Sequence, residues 1–120
     1  MSRFFTRLTH LLLFIIFAGI LHAQEKNDYT ILLNSGKFIP AENISGLTKN
    51  SAEFRQSLFL NKHYVTIQFK ALPAQQEKNN LKAAGIELID YIPNYAYTVS
   101  VSADFDLSSF KSFNLRSVFQ

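Results

Sequence analysis

The sequence predicts a small α+β domain, and three observations predict it. Apolar and polar residues alternate between His63 and Lys70; a run of good helix formers then closes on Gly85; and strand and helix signals recur in the same manner through Phe119. Ahead of this domain stands a leader of a different character.

Arg3 and Arg7 precede an uninterrupted apolar run from Leu11 to Leu21 with no acidic residue before it, the charged head and apolar middle of a secretory signal. The run is about eleven residues, well short of the roughly 20 that a membrane-crossing helix needs, so the leader reads as removable and not as a permanent membrane anchor. Ala23 suits the position before the cut, although Leu21 is bulkier than the usual small residue there, and Gln24 then begins the mature chain. Residues 1–23 are accordingly expected to be a signal peptide and the remainder to be exported, to the periplasm or outside the cell.

The mature segment of about 97 residues suits one hydrophobic core. Its charge is nearly balanced, because removal of Arg3 and Arg7 leaves ten basic residues against nine acidic ones. Without a basic excess or a basic cluster, the electrostatic footprint of a nucleic-acid binder is missing. The chain has no cysteine, which excludes disulfides, thiolate metal sites and cysteine nucleophiles, so packing alone must stabilise the exported domain. Twelve Phe and five Tyr supply the apolar area for it.

Taken in order, Tyr29–Leu33 and Lys37–Ile39 flank Asn34-Ser35-Gly36, the pattern of a β-hairpin around a glycine turn. From Pro40 to Asn61 the pattern blurs into a connector with a short helix near Ser51–Leu58, where Phe54 and Leu58 stand four apart. The strand at His63–Lys70 sets Val65, Ile67 and Phe69 against Tyr64, Thr66 and Gln68. Pro73 opens a helix that spans Gln75–Ala84 and stops at Gly85. Ile86–Ile92 and Tyr95–Val101, joined at Pro93-Asn94, read as an antiparallel pair of strands. Ser102 or Asp104 then caps a second helix that carries Leu107, Phe110 and Phe113, and Leu115–Phe119 closes the sheet.

From residue 63 onward the order is thus β-α-β-β-α-β, the ferredoxin-like arrangement: an antiparallel sheet with two helices on one face, here preceded by the N-terminal hairpin. The chain divides into a leader at 1–23, a hairpin and connector at 24–62, and the ferredoxin-like unit at 63–120. If Val65, Ile67, Phe69, Tyr97, Val99 and Val101 face the helices, the opposite face carries Tyr64, Thr66, Gln68, Ala96, Thr98 and Ser100. The intervening strand adds Ile89 and Tyr91 to that face if Leu88 points inward. Such a surface, nearly uncharged and rich in small or aromatic residues, suits a flat docking contact. The alternation fits an ordinary solvated face equally well, and a shift of one residue in phase inverts the assignment.

The chemistry-bearing residues give no catalytic centre. His63 is the single histidine of the mature chain, and no G-x-S-x-G elbow surrounds any serine, so it reads as a lone surface histidine and not as the base of a nucleophile. Asp104 and Asp106 lack the further oxygen ligands of a calcium loop and read as helix caps. Asn43-Ile44-Ser45 matches the glycosylation acceptor pattern. No phosphate-binding loop, dinucleotide fingerprint or metal-ligand spacing occurs, so no cofactor is expected and the chain by itself is read as no enzyme.

The segments His63-Tyr64-Val65-Thr66-Ile67-Gln68-Phe69 and Leu81 through Tyr97, with a Gly-Ile entry to a strand ending Tyr-Ile-Pro and followed by Ala-Tyr, resemble the fervidolysin-like N-terminal prodomain of exported subtilisin-like serine proteases. The resemblance spans roughly residues 29–118. It implies a domain that helps its protease fold and then inhibits it, docking the open sheet face on the catalytic domain, with a tail after Phe119 entering the substrate cleft. The implied contact residues are Tyr64, Thr66, Tyr91, Ala96 and Thr98. The catalytic D-S-G, H-G-T and G-T-S-M-A type motifs of that family are absent, so the expectation is a prodomain without its catalytic domain, as a fragment or truncated precursor. A stand-alone protease inhibitor and a non-catalytic exported interaction module are the alternatives. RNA-recognition domains share the element order, but the missing K/R-G-F/Y-G/A-F motif and the near-neutral charge argue against that class.

Overall fold

A computed structural model describes residues 27–120; the leader and the cleavage position between Ala23 and Gln24 lie outside the described residues. The fold is α+β: a short N-terminal hairpin, a mostly antiparallel sheet and three helices. The hairpin comprises β1 (Ile31–Leu33) and β2 (Gly36–Phe38). A 3-10 turn at Ile44–Gly46 and the helix α1 (Ala52–Gln56) follow. The main sheet then takes β3 (Leu58–Phe59), β4 (Lys62–Phe69), β5 (Glu87–Ile92), β6 (Ala96–Ser102) and β7 (Leu115–Phe119). The helix α2 (Gln75–Ala83) joins β4 to β5, and α3 (Leu107–Ser112) joins β6 to β7.

The eight-residue β4 organises the sheet. One edge pairs with β6 from Lys62 to Gln68, and the other is shared by β3 at its start and β7 at its end. Across the sheet the strands therefore lie in the order β5, β6, β4 and β7. The period-two alternation of β4 and β6 turns Val65, Ile67, Phe69, Tyr97, Val99 and Val101 to one side, where all six are buried. Phe54 of α1, Leu81 of α2 and Phe110 of α3 complete that cluster. Phe54 stands at its centre, with ring centroids 4.8 Å from Phe105, 5.7 Å from Phe110 and 5.5 Å from His63. Edge-on and tilted contacts of this kind add to plain area burial.

Local chemistry explains the element ends. α2 stops in a Schellman motif: Ile86 N–H donates to Leu81 O at 2.9 Å and Gly85 N–H to Lys82 O at 3.0 Å, a closure that needs the φ of +80° which Gly85 supplies. α3 is capped by Asp106, whose carboxylate accepts from Ser108 N at 2.9 Å. This corrects the expected cap at Ser102 or Asp104. Ser102 ends β6 and its hydroxyl bonds Asp104, while the turn is closed by Phe105 N–H to Ser102 O, so the helix begins one loop later.

Two further expectations, on Leu58 and His63, fail. The connector forms its short helix and sends Leu47 and Phe54 into the core, but Leu58 does not extend that helix and enters β3 with 53% of its surface exposed. His63 is not a surface residue: β4 turns it to the core side, in register with Val101. Two turns hold left-handed residues other than glycine, Leu60 and Asn61 between β3 and β4, and Asn94 and Tyr95 between β5 and β6. Such conformations cost about 1–3 kcal/mol each for residues with a Cβ.

Phe54→Ala is expected to cost about 3–5 kcal/mol in urea unfolding, because it empties the centre of the aromatic cluster. At Asp106 the sidechain and backbone hydrogen bonds from Ser108 hold the carboxyl below its ordinary value of 3.8. A lowered folded-state value means stability that is present above the ordinary carboxylate range and lost as pH falls through the folded value. Asp106→Ala should therefore lower the melting temperature at neutral pH, with the gap to wild type closing under acid; a gap independent of pH would show that the cap does not act through the carboxylate.

Candidate functional site

The site follows from the face of the sheet turned away from the helices. Cross-strand register places Tyr64 opposite Ser100, Thr66 opposite Thr98 and Gln68 opposite Ala96, so the expected composition of this face holds on β4 and β6. Its two ends differ sharply. At one end Tyr64 is 40% exposed and Thr66 and Thr98 are half-buried, whereas at the other Gln68 and Ala96 have no exposed surface.

The N-terminal strap, residues 27–40, produces the difference. Gln68 Nε2 donates to Tyr29 O and to Asn94 O, both at 3.0 Å, and Asn94 Nδ2 in turn donates to Thr30 O. Gln68 Oε1 accepts from Arg116 Nη1 at 3.2 Å and from Ser117 Oγ at 3.4 Å. Arg116 also donates to Pro40 O at the far end of the strap and stacks over the Tyr29 ring at 4.5 Å. Tyr29 Oη donates to Lys70 O. Ile31 is the strap's fully buried side chain, and Phe38 meets Phe119 edge-on at 5.5 Å.

Two of the five expected contact residues are therefore not on the accessible part of this face, although Tyr91 is itself 52% exposed. Ala96 is sealed beneath the strap. Tyr91 lies on the opposite face, because Ile89 is an extra residue in β5: Leu88 pairs with Val99 and Asp90 with Thr98, after which Tyr91 comes opposite Tyr97. The two tyrosine rings stand 5.1 Å apart on the helix side. A bulge of this kind shifts the alternation by one and cannot be seen in the periodicity of a single strand. Tyr64, Thr66 and Thr98 remain together on the accessible end. Beside them Lys62 and Glu87 form an ion pair of 3.5 Å, Ser100 Oγ donates to Glu87 Oε2, and the exposed carboxylate of Asp90 stands opposite Thr98.

The remaining chemistry-bearing residues are structural. His63 Nδ1 lies 3.2 Å from Ser57 Oγ, a pairing that invites comparison with a serine–histidine dyad. The hydroxyl proton of Ser57, however, is directed to Phe54 O at 3.1 Å, so the serine oxygen accepts from the imidazole N–H. Both residues are buried, His63 between the rings of Phe54 and Phe105. Asn43, the acceptor of the glycosylation pattern, is engaged with β7: Val118 N–H donates to its Oδ1 at 2.9 Å and its Nδ2 donates to Val118 O at 2.8 Å. Among the described residues no cluster of His, Cys, Asp and Glu could hold a metal ion. A shallow hollow lined by Lys78, Lys82 and Glu87, between α2 and β5, brings no convergent set of groups together. No helix among the described residues is long and apolar enough to cross a membrane.

Gln68→Leu keeps the bulk but leaves Tyr29 O and Asn94 O without their donor, and is expected to cost about 1–3 kcal/mol in urea unfolding. Hydrogen exchange of the β1 and β2 amides should accelerate in this variant; unchanged protection there would mean that the strap is held by its apolar contacts alone.

No curated protein matches the chain, and no solved structure matches it. Residues 32–120 match the model of a family described as a domain of unknown function, DUF8729. That span takes in the strap from Leu32 onward, the connector and every strand of the main sheet, and the chain belongs to the DUF8729 family.

Proposed function

We propose that this chain is an exported, prodomain-type docking domain that assists the folding of a subtilisin-like serine protease and inhibits it. The proposed fold is ferredoxin-like, a reading supported by the succession β4, α2, β5, β6, α3, β7 and by the strand order β5, β6, β4, β7. The strap, α1 and β3 are then additions to that plan.

One observation carries the functional reading. The accessible half of the sheet presents Tyr64, Thr66 and Thr98, one aromatic and two small hydroxyl side chains, with the Lys62–Glu87 ion pair and the Asp90 carboxylate beside them. Flat surfaces of this composition desolvate at low cost and suit a protein partner better than a small molecule, which favours a concave pocket. The sequence resemblance gives the partner's class. The chain's own role is to bind and to present the face; the Ser57–His63 pair is buried and oriented against nucleophilic attack.

Thr98→Lys places a long cation at the middle of the face while leaving the core untouched. The inhibition constant toward a subtilisin-like protease should rise at least tenfold, with an unchanged melting temperature. Equal inhibition by the variant and the wild type removes this face from the interface.

A further inference from the structure

The strap is joined to the sheet without the means that join one strand to the next. Among the described residues no backbone-to-backbone hydrogen bond ties residues 27–40 to the sheet, and β1 pairs with β2 alone. Side chains make the links instead. Gln68 Nε2, Asn94 Nδ2 and Arg116 Nη1 donate to the main-chain carbonyls of Tyr29, Thr30 and Pro40, while the Asn27 and Tyr29 side chains donate to Lys70 O. A carbonyl is common to every residue, so the first three bonds hold an extended main chain whatever its sequence. Selectivity falls to Ile31, which is fully buried, and to Tyr29, whose ring lies against the Arg116 guanidinium.

Little opposes the lifting of this segment. Ile31 and Pro40 are its buried side chains, and Ile31 does not belong to the cluster around Phe54. The floor beneath consists of Gln68, Ser117 and Ala96, two polar groups that water can satisfy and one methyl. Opening therefore uncovers little apolar surface and leaves the core on the other face of the sheet closed, as in a sub-global opening. The motion has a definite end point. Asn43 is fixed to β7 by its side chain and its backbone N–H, so the exposed pair Ala41 and Glu42 forms the hinge.

We propose that the floor beneath the strap is a peptide-binding groove, that the strap is its releasable occupant, and that the strap of a second copy takes its place. A second copy is specified because residues 27–40 are the segment that fills the groove, and each contact made within one chain can be made between two. In dilute solution the tethered strap wins by its high effective concentration; exchange sets in as the protein is concentrated. Neither step requires a protease partner.

The full chain has no cysteine, so introduced thiols report access. Ala96→Cys and Ser117→Cys lie in the floor, and Val99→Cys faces the core from the same strand as Ala96. In dilute protein a disulfide reagent should label both floor thiols about a hundredfold or more faster than Val99→Cys, with little dependence on low urea. Floor labelling no faster than at Val99→Cys means that the strap lifts only with global unfolding, and overturns the proposal. Fast labelling at one floor thiol alone marks a sulfur that forces the strap off or fraying of β7, and overturns release. The groove is tested by mixing two chains: Ile31→Ser with Ser117→Cys has a faulty strap over an intact groove, and Gln68→Leu has an intact strap over a faulty groove. Excess Gln68→Leu chain should slow labelling about threefold or more, and Gln68→Leu carrying Ile31→Ser should not. If Gln68→Leu does not fold, the synthetic peptide of residues 27–40 takes its place, with the Ile31→Ser peptide as its control. No slowing, or equal slowing by the control, overturns the groove. Equal labelling of Val99→Cys and Ser117→Cys once Ile31→Ser is added shows that the strap is inseparable from the fold, and also overturns the proposal.

Discussion

A primary amide buried from water must place two N–H donors and its carbonyl lone pairs on protein partners, and in this domain the amide of Gln68 does so with four separate groups. Its partners come from the strap, the β5–β6 turn and β7, so one side chain ties three parts of the chain together. Once the Gln68 side chain is satisfied, the strap has a fixed position, Ala96 is covered and Arg116 is held against Tyr29. The polar network thus determines how much of the sheet stays accessible, while the aromatic cluster on the opposite side supplies most of the burial. The division suits a domain without disulfides: strength resides in Phe54, Phe105 and Phe110, and specificity of arrangement in one amide.

What could be read in the sequence is what depends on neighbours along the chain. The alternation of β4 and β6, the Gly85 stop and the span of β7 follow from residues within one turn or one strand, and the structure places them as expected. Features created by distant pairing were invisible. Tyr91 changes face because of where Ile89 falls against β6, and Ala96 is buried by a strap some 60 residues earlier in the chain. His63 lies at a core position of its strand, yet a titratable residue there reads as a surface group until Ser57 and the Phe54 ring are seen around it. Asp106 reads as a cap in the sequence, but so do Ser102 and Asp104, and only the length of the loop decides among them.

The candidate face shows the same division. Tyr64, Thr66 and Thr98 were legible because cross-strand neighbours on long strands share a phase. The β3–β4 turn was not, since Leu58 four residues after Phe54 carries the spacing of a helix face. The left-handed backbone at Leu60 and Asn61 is likewise encoded by no periodicity.

Asn43 presents its side-chain amide to β7 as another strand would present a peptide group, and its backbone N–H adds a bond to Arg116 O. The bonded residues are separated by 75 positions in sequence. Closing so long a loop is entropically slow, and contacts of this range govern folding rate more than local ones do. As the chain leaves the ribosome, the strap and Asn43 emerge long before their partners on β7 exist. Asn43 consequently has no partner until β7 is made, whereas Tyr29 and Thr30 of the strap meet theirs earlier in the chain, at Gln68, Lys70 and Asn94.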